Sequence, residues 1–177
     1  MTKYVALLRG INVGGKIVKM DELKKILTAM RFKNVKTLLA SGNIVFDTDK
    51  NESEKLEKTI SEKLEKHFGF TIFVLLRTIG DIQKLIAKNP FQGIAVKPET
   101  RLYVTFLTEK PNSKLHIPYE NPEKDLKILS VTDSEACTVI TISTDRNTTD
   151  MMGLLEKEFG KKVTTRNWNT VQKLAKL

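Results

Sequence analysis

The chain has 177 residues, 40 % of them hydrophobic and 29 % charged, a size and composition that suit one sizeable core or two small ones in a globular protein. Its longest apolar runs are of strand length, so none reads as a membrane-spanning helix, and its single cysteine, Cys137, excludes an internal disulfide framework and fits a reducing cytoplasm. The net charge of +9 favours polyanions as partners, although it speaks of association rather than fold and many equally basic proteins bind none in particular.

Met1-Thr2-Lys3-Tyr4 runs straight into a strand pattern without the layout of a signal peptide, so a cytoplasmic location is expected. Tyr4 to Leu8 is apolar on both faces, as a central strand is. The strand stops at Arg9 and opens into Gly10-Ile11-Asn12-Val13-Gly14-Gly15-Lys16. Strand, glycine-rich loop and helix in that order present backbone N–H groups to an anion. Met20, Leu23, Ile26, Leu27 and Met30 then recur at helical spacing from about Asp21, which is paired with Lys25 at i,i+4. These methionines are core material rather than a cofactor box. Val35 to Ala40 and Ile44 to Phe46, joined by Ser41-Gly42-Asn43, read as a hairpin. Asn51 with Glu54 has the spacing of a capping box ahead of Leu56, Ile60, Leu64 and Phe68, and Gly69 is a natural stop. Ile72 to Leu76 is a fourth strand, so the order by about residue 77 is β-α-β-β-α-β, the ferredoxin-like arrangement.

A helix carrying Ile79, Ile82, Leu85 and Ile86 ends before Pro90. Residues 89–100, with Pro90, Gly93 and Pro98, are the best linker between a half at 1–88 and a second at 101–177. In that second half Leu102 to Leu107 is a strand, and Pro111, Pro118 and Pro122 leave room for only a short helix. Leu126 to Val131 and Cys137 to Ile142 form a hairpin about Thr132-Asp133-Ser134-Glu135. Thr144-Asp145-Arg146-Asn147 echoes Thr48-Asp49-Lys50-Asn51, and the following helix ends in Phe159-Gly160 as the earlier one ends in Phe68-Gly69. The echo is read as a repeated architecture, a second β, short α, β, β, α, β copy from roughly 101 to 165, with no claim of ancestry. The blander alternative is that strand-to-helix turns commonly use Thr, Asp and Asn as caps. The last helix has Trp168, Val171 and Leu174 on one side and Thr165 or Asn167 as its cap. From Lys161 onward there are five basic and no acidic residues.

LLRGINVGGK, SGNIVF and TRNWNTVQKL, in that order, resemble a bacterial family of conserved hypothetical proteins, the domain-of-unknown-function family 1697, over essentially the whole chain. The resemblance implies an α+β fold of one or two ferredoxin-like units and implies no activity. Members of that family read GGKN before a basic-apolar step, whereas here Lys16 runs into Ile17-Val18-Lys19-Met20. That departure weakens a polar-ligand reading of the loop.

Gly10, Gly15 and Lys16 satisfy G-x-x-x-x-G-K. Against a nucleotide-binding P-loop stand Ile17 in place of the Ser/Thr that holds Mg²⁺, the late start of the helix, and a hairpin where a parallel sheet is required. In a ferredoxin-like sheet the first and third strands are antiparallel neighbours, which sets Arg9 to Lys16 beside Ser41-Gly42-Asn43 on one rim. Arg9, Asn12, Gly14, Gly15, Lys16, Ser41 and Asn43 are therefore candidate ligand-binding residues, with donors for phosphate or carboxylate. The same side chains can instead bond one another and lock the two loops, the reading slightly preferred. Arg166, Asn167 and Trp168 complete the candidates through charge and stacking, although a lone tryptophan at helical spacing is more often packed. A nucleic-acid reading of the sheet lacks aromatic residues beyond Tyr4 and Phe46. His67, near the end of a lysine-rich helix, needs no more than solvation or a dipole contact. No Cys/His spacing suggests a metal, no cofactor motif is present, and no catalytic residue can be picked out.

The expected architecture is thus α+β, two ferredoxin-like (βαββαβ) halves, the second less regular, plus a C-terminal helix. The expected function is a weak anion or nucleic-acid binding module acting through the basic glycine-rich loop. The alternatives are a small enzyme acting on a phosphorylated metabolite at the rim of residues 9–16 and 41–43, or a structural protein, dimeric through a sheet edge. No membrane partner is expected.

Overall fold

The computed structural model describes residues 1–144 and 149–177, so the echo at Thr144–Asn147 lies, beyond Thr144, outside the described residues. The chain divides into two compact units, Met1–Lys84 with Lys173–Leu177, and Leu85–Gln172.

In the first unit the strands are β1 (Thr2–Arg9), β2 (Lys33–Leu38), β3 (Asn43–Thr48) and β4 (Phe73–Thr78), with helices α1 (Met20–Ala29) and α2 (Ser53–Phe68) between them; α3 (Ile79–Lys88) follows β4 and its last residues, from Leu85, count with the second unit. The sheet order is β2-β3-β1-β4 and every pair is antiparallel, with Val5 opposite Val45 and Leu7 opposite both Asn43 and Leu75. This is the ferredoxin-like arrangement read from the sequence. Period and burial agree: Leu23, Ile26 and Leu27 of α1 and Leu56, Ile60 and Leu64 of α2 pack on Tyr4, Ala6, Leu8, Ile44, Phe46, Val74 and Leu76. The opposite-facing Val5, Leu7, Val45 and Leu75 are buried as well, which is why β1 is apolar at consecutive positions rather than alternating. Gly69 ends α2 at φ 78°, its N–H donating to Glu65 O at 2.8 Å, a conformation glycine adopts without strain. The capping box does not form. Glu52 occupies the cap of α2, and Asn51, one residue too early, instead accepts a 3.4 Å hydrogen bond from Thr2 Oγ1.

In the second unit the strands are β5 (Thr100–Leu107), β6 (Tyr119–Glu120), β7 (Leu126–Val131), β8 (Glu135–Thr141) and β9 (Val163–Asn167), with α4 (Met151–Phe159) before β9 and α5 (Trp168–Leu174) after it. The antiparallel order is β6-β7-β8-β5-β9. Without β6 it has the same strand order as the first sheet. The short helix expected after β5 is absent from residues 108–118, and the chain there is irregular until it adds β6 to the sheet edge. Proline removes a backbone donor and clashes with the preceding helical turn, so the spacing of Pro111, Pro118 and Pro122 leaves no uninterrupted helix. Leu115 and Tyr119 from this segment pack on the cluster of Leu126, Ile128, Ile140 and Leu155. Asn121 fastens the segment's end: its Nδ2 donates to Asp125 Oδ1 (2.7 Å) and Thr149 Oγ1 (2.9 Å), and its Oδ1 accepts from Leu126 N (2.9 Å).

Candidate functional site

The rim of the first unit is built on two close backbone approaches. Leu8 N donates to Gly42 O at 2.8 Å, joining the end of β1 to the β2–β3 turn. A Cβ at Gly42 would stand 2.6 Å from Ile11 Cδ1 and 2.8 Å from Leu8 Cβ, and its φ is +73°, so space and backbone both demand glycine there.

Asn12 is the centre of the loop. Its φ of 54° is one that asparagine tolerates better than other non-glycine residues. Its Nδ2 donates to Ala40 O at 2.6 Å and to Val18 O at 3.2 Å, while its Oδ1 accepts from Val18 N at 2.8 Å. Asn12 N in turn donates to Lys16 O at 2.6 Å, and Lys16 N to Val13 O at 3.1 Å. Asn43 is fully buried and gives its amide hydrogens to Leu38 O (2.9 Å) and Ser41 Oγ (2.8 Å). The carboxamides of Asn12 and Asn43 thus lock the two loops, and Ser41 is engaged by Asn43. Arg9 ends β1 half-buried, in register with Phe73.

What this leaves toward solvent is Val13 to Ile17. Gly14 and Gly15 are exposed at φ 56° and 80°, with no atom within 4 Å of where a Cβ would lie. Among the described residues neither glycine N–H has an acceptor. Beside them Lys16 is exposed and holds Nζ 5.6 Å from the centroid of the Phe70 ring, within cation–π range. An open groove of about 780 Å³ adjoins the loop, lined by Asn12, Val18, Ala40 and the first turn of α1. It carries charges of both signs, Lys19 and Lys25 with Asp21 and Glu22. At its edge His67 Nε2 lies 2.7 Å from Glu22 Oε1. That pair bridges residues 45 apart, so no local pattern pointed to it.

The remaining sequence candidates lie in the second unit, Arg166 and Trp168 buried and Asn167 half-buried. Arg166 is 9 % exposed, its Nη1 donating to Thr164 Oγ1 and Thr165 O, both at 2.9 Å. Burial pushes the proton affinity of its guanidinium down, to about 10. Asn167 Oδ1 accepts from Asn169 N at 2.9 Å, fastening the start of α5. Trp168 is 7 % exposed and meets the Phe91 ring edge-on, centroids 5.2 Å apart. No stacking platform exists on the first sheet either: Tyr4 and Phe46 are buried and stack on each other at 6.0 Å, and Phe32 stacks on Phe46 at 4.5 Å. Among the described residues no cluster of three His, Cys, Asp or Glu side chains could hold a metal ion, and no helix is long and apolar enough to cross a membrane.

Charge is divided unequally. The first unit holds 18 Lys and Arg against 10 Asp and Glu, and the second 12 against 11, so the first carries +8 of the chain's +9. Only the fold makes this visible, because it assigns the last five residues, with Lys173 and Lys176, to the first unit.

A family profile described as "Protein of unknown function (DUF1697)" matches residues 1–136. A solved structure of a conserved bacterial protein from Streptococcus pneumoniae superposes with a TM-score of 0.64 at 22 % sequence identity, covering 99 % of this chain and 97 % of that one. At that identity the likeness is one of fold. No match is found among curated proteins.

Proposed function

The chain belongs to the DUF1697 family, whose description assigns no activity, and from its own residues we propose that the first unit is a weak binding module for phosphate-bearing anions. The observation that carries this reading is the concentration of +8 on one small unit whose exposed rim loop offers the Gly14 and Gly15 amides beside Lys16. Exposed consecutive amides and a cation are the elements with which a loop holds phosphate oxygens. Because Asn12 and Asn43 are committed to loop carbonyls and hydroxyl, recognition rests on backbone amides and charge. Such binding ignores base sequence and depends steeply on salt. With the aromatic residues of the sheet buried, affinity for nucleic acid stays at micromolar level or weaker.

Fluorescence anisotropy with labelled single- and double-stranded oligonucleotides, at low and physiological salt, tests the reading. Binding is expected at low salt for any sequence, and Lys16→Gln should flatten the salt slope by roughly one unit, the loss of one phosphate contact. Absence of binding at low salt would rule out a nucleic-acid backbone as the anion this unit holds.

A further inference from the structure

Three of the exposed large apolar side chains of the first unit sit on the same rim: Val13 at 62 %, Ile17 at 71 % and Leu39 at 54 %. Their placement follows from Asn12. Its carboxamide joins residues 12, 18 and 40, and Val13, Ile17 and Leu39 are the immediate chain neighbours of those three. With adjacent Cα atoms about 3.8 Å apart, the three apolar residues lie within roughly 15 Å of one another on two fastened loops. Leu39 is held at φ 60°, a left-handed conformation that leucine rarely adopts. Backbone strain on an exposed apolar loop tip is the kind of feature that function retains. Between and beside these side chains stand Lys16 and Lys19, both exposed.

We propose that this rim docks on an anionic lipid bilayer, Val13, Ile17 and Leu39 entering the headgroup–acyl boundary while Lys16 and Lys19 meet lipid phosphates. The proposal rests on the anion-binding reading above and names the surface that presents the phosphates. Charge selects this occupant. Apolar tips flanked by Lys16 and Lys19 on a unit of net +8 are complementary to an anionic membrane surface, even with Asp21 and Glu22 in the adjoining groove. Self-association through the same rim would oppose Lys16 and Lys19 to their own counterparts. A nucleic-acid backbone gives three exposed aliphatic side chains nothing to bury against. Side chains this exposed protrude; they do not line a pocket of the sort that anchors a protein partner.

The test uses the full chain with Ile17→Cys labelled by an environment-sensitive nitrobenzoxadiazole dye, the native Cys137 being buried away from the reagent. Vesicles of phosphatidylglycerol and phosphatidylcholine in equal amounts, and of phosphatidylcholine alone, are titrated in. A blue shift and brightening with the anionic vesicles only is expected. In co-sedimentation of unlabelled protein, the Val13→Ser/Ile17→Ser double variant should bind about tenfold or more weakly, the order for withholding aliphatic side chains from an apolar phase. Lys16→Gln should weaken binding severalfold. Vesicle binding untouched by the serine variant, or binding to oligonucleotides with none to vesicles, overturns the lipid proposal and leaves the anion reading standing. Binding to neither overturns both.

Discussion

Asn12 carries the rim, and its replacement gives a graded result that separates hydrogen bonding from backbone strain. Asn12→Ala deletes the bonds to Ala40 O, Val18 O and Val18 N. At about 1 kcal/mol per net hydrogen bond, discounted for the partial exposure of the site, their loss costs about 2 kcal/mol. Alanine must also hold a φ of 54°, which adds about 1 kcal/mol for a residue with an unassisted Cβ. Asn12→Ala should therefore cost about 3 kcal/mol and Asn12→Gly, which relieves the φ but not the bonds, about 2 kcal/mol. Asn12→Asp retains only the acceptor for Val18 N and turns a carboxylate toward two carbonyls, so it should be no better than alanine. Urea unfolding followed by circular dichroism measures the series. Hydrogen exchange at the Leu8 amide, bonded to Gly42 O, reports the rim directly. An alanine variant within about 0.5 kcal/mol of the parent, which is ordinary for an inert surface position, would refute the lock, and a glycine variant no better than alanine would refute the strain component.

Three further outcomes are expected. Gly42→Ala places a Cβ 2.6 Å from Ile11 Cδ1 at φ +73° and should cost about 2–4 kcal/mol from overpacking and strain together, seen as a lowered urea midpoint. Trp168 is the chain's single tryptophan, 7 % exposed: native emission should be blue-shifted and poorly quenched by acrylamide, and Trp168→Ala should cost about 3–5 kcal/mol. Red-shifted, freely quenched emission would contradict the packing. Burial pushes the Cys137 thiol from 9.0 up to about 11. The unfolded chain therefore loses that proton first, and stability should fall between pH 9 and 11 by about 2–3 kcal/mol. The stability difference between the parent and Cys137→Ala, measured by unfolding curves across that range, should shrink by that amount as pH rises, which separates the thiol from the opposite contribution of Arg166.

Much of the fold was legible because its signals are local. The apolar period of Leu23, Ile26 and Leu27 and of Leu56, Ile60 and Leu64 marks helices whose buried faces the structure shows. The consecutive apolar residues of β1 mark a strand buried on both faces. Gly69 and Gly42 mark a stop and a turn by requiring positive φ. Two local readings failed. The cap of α2 fell on Glu52, one residue past Asn51, and the proline-punctuated segment after β5 supplied an edge strand instead of a helix.

The candidate site divides along the same line. That residues 9–16 lie beside residues 41–43 follows from strand order alone, since a split βαβ sheet sets the first and third strands together, and the residue types at the rim already allowed a locked pair of loops. What the amides of Asn12 and Asn43 bond to was settled only by packing, because a carboxamide joins whichever carbonyl the fold brings within 3 Å or so. The same is true of the inward turn of Arg166 and Trp168, of the 2.7 Å approach of His67 to Glu22, and of the partition of +9 into +8 and +1. Periodicity and turn chemistry act between residues a few positions apart and can be read along the chain. Side-chain partners, burial and the sharing of charge are set by residues distant in sequence, and only the tertiary structure brings those together.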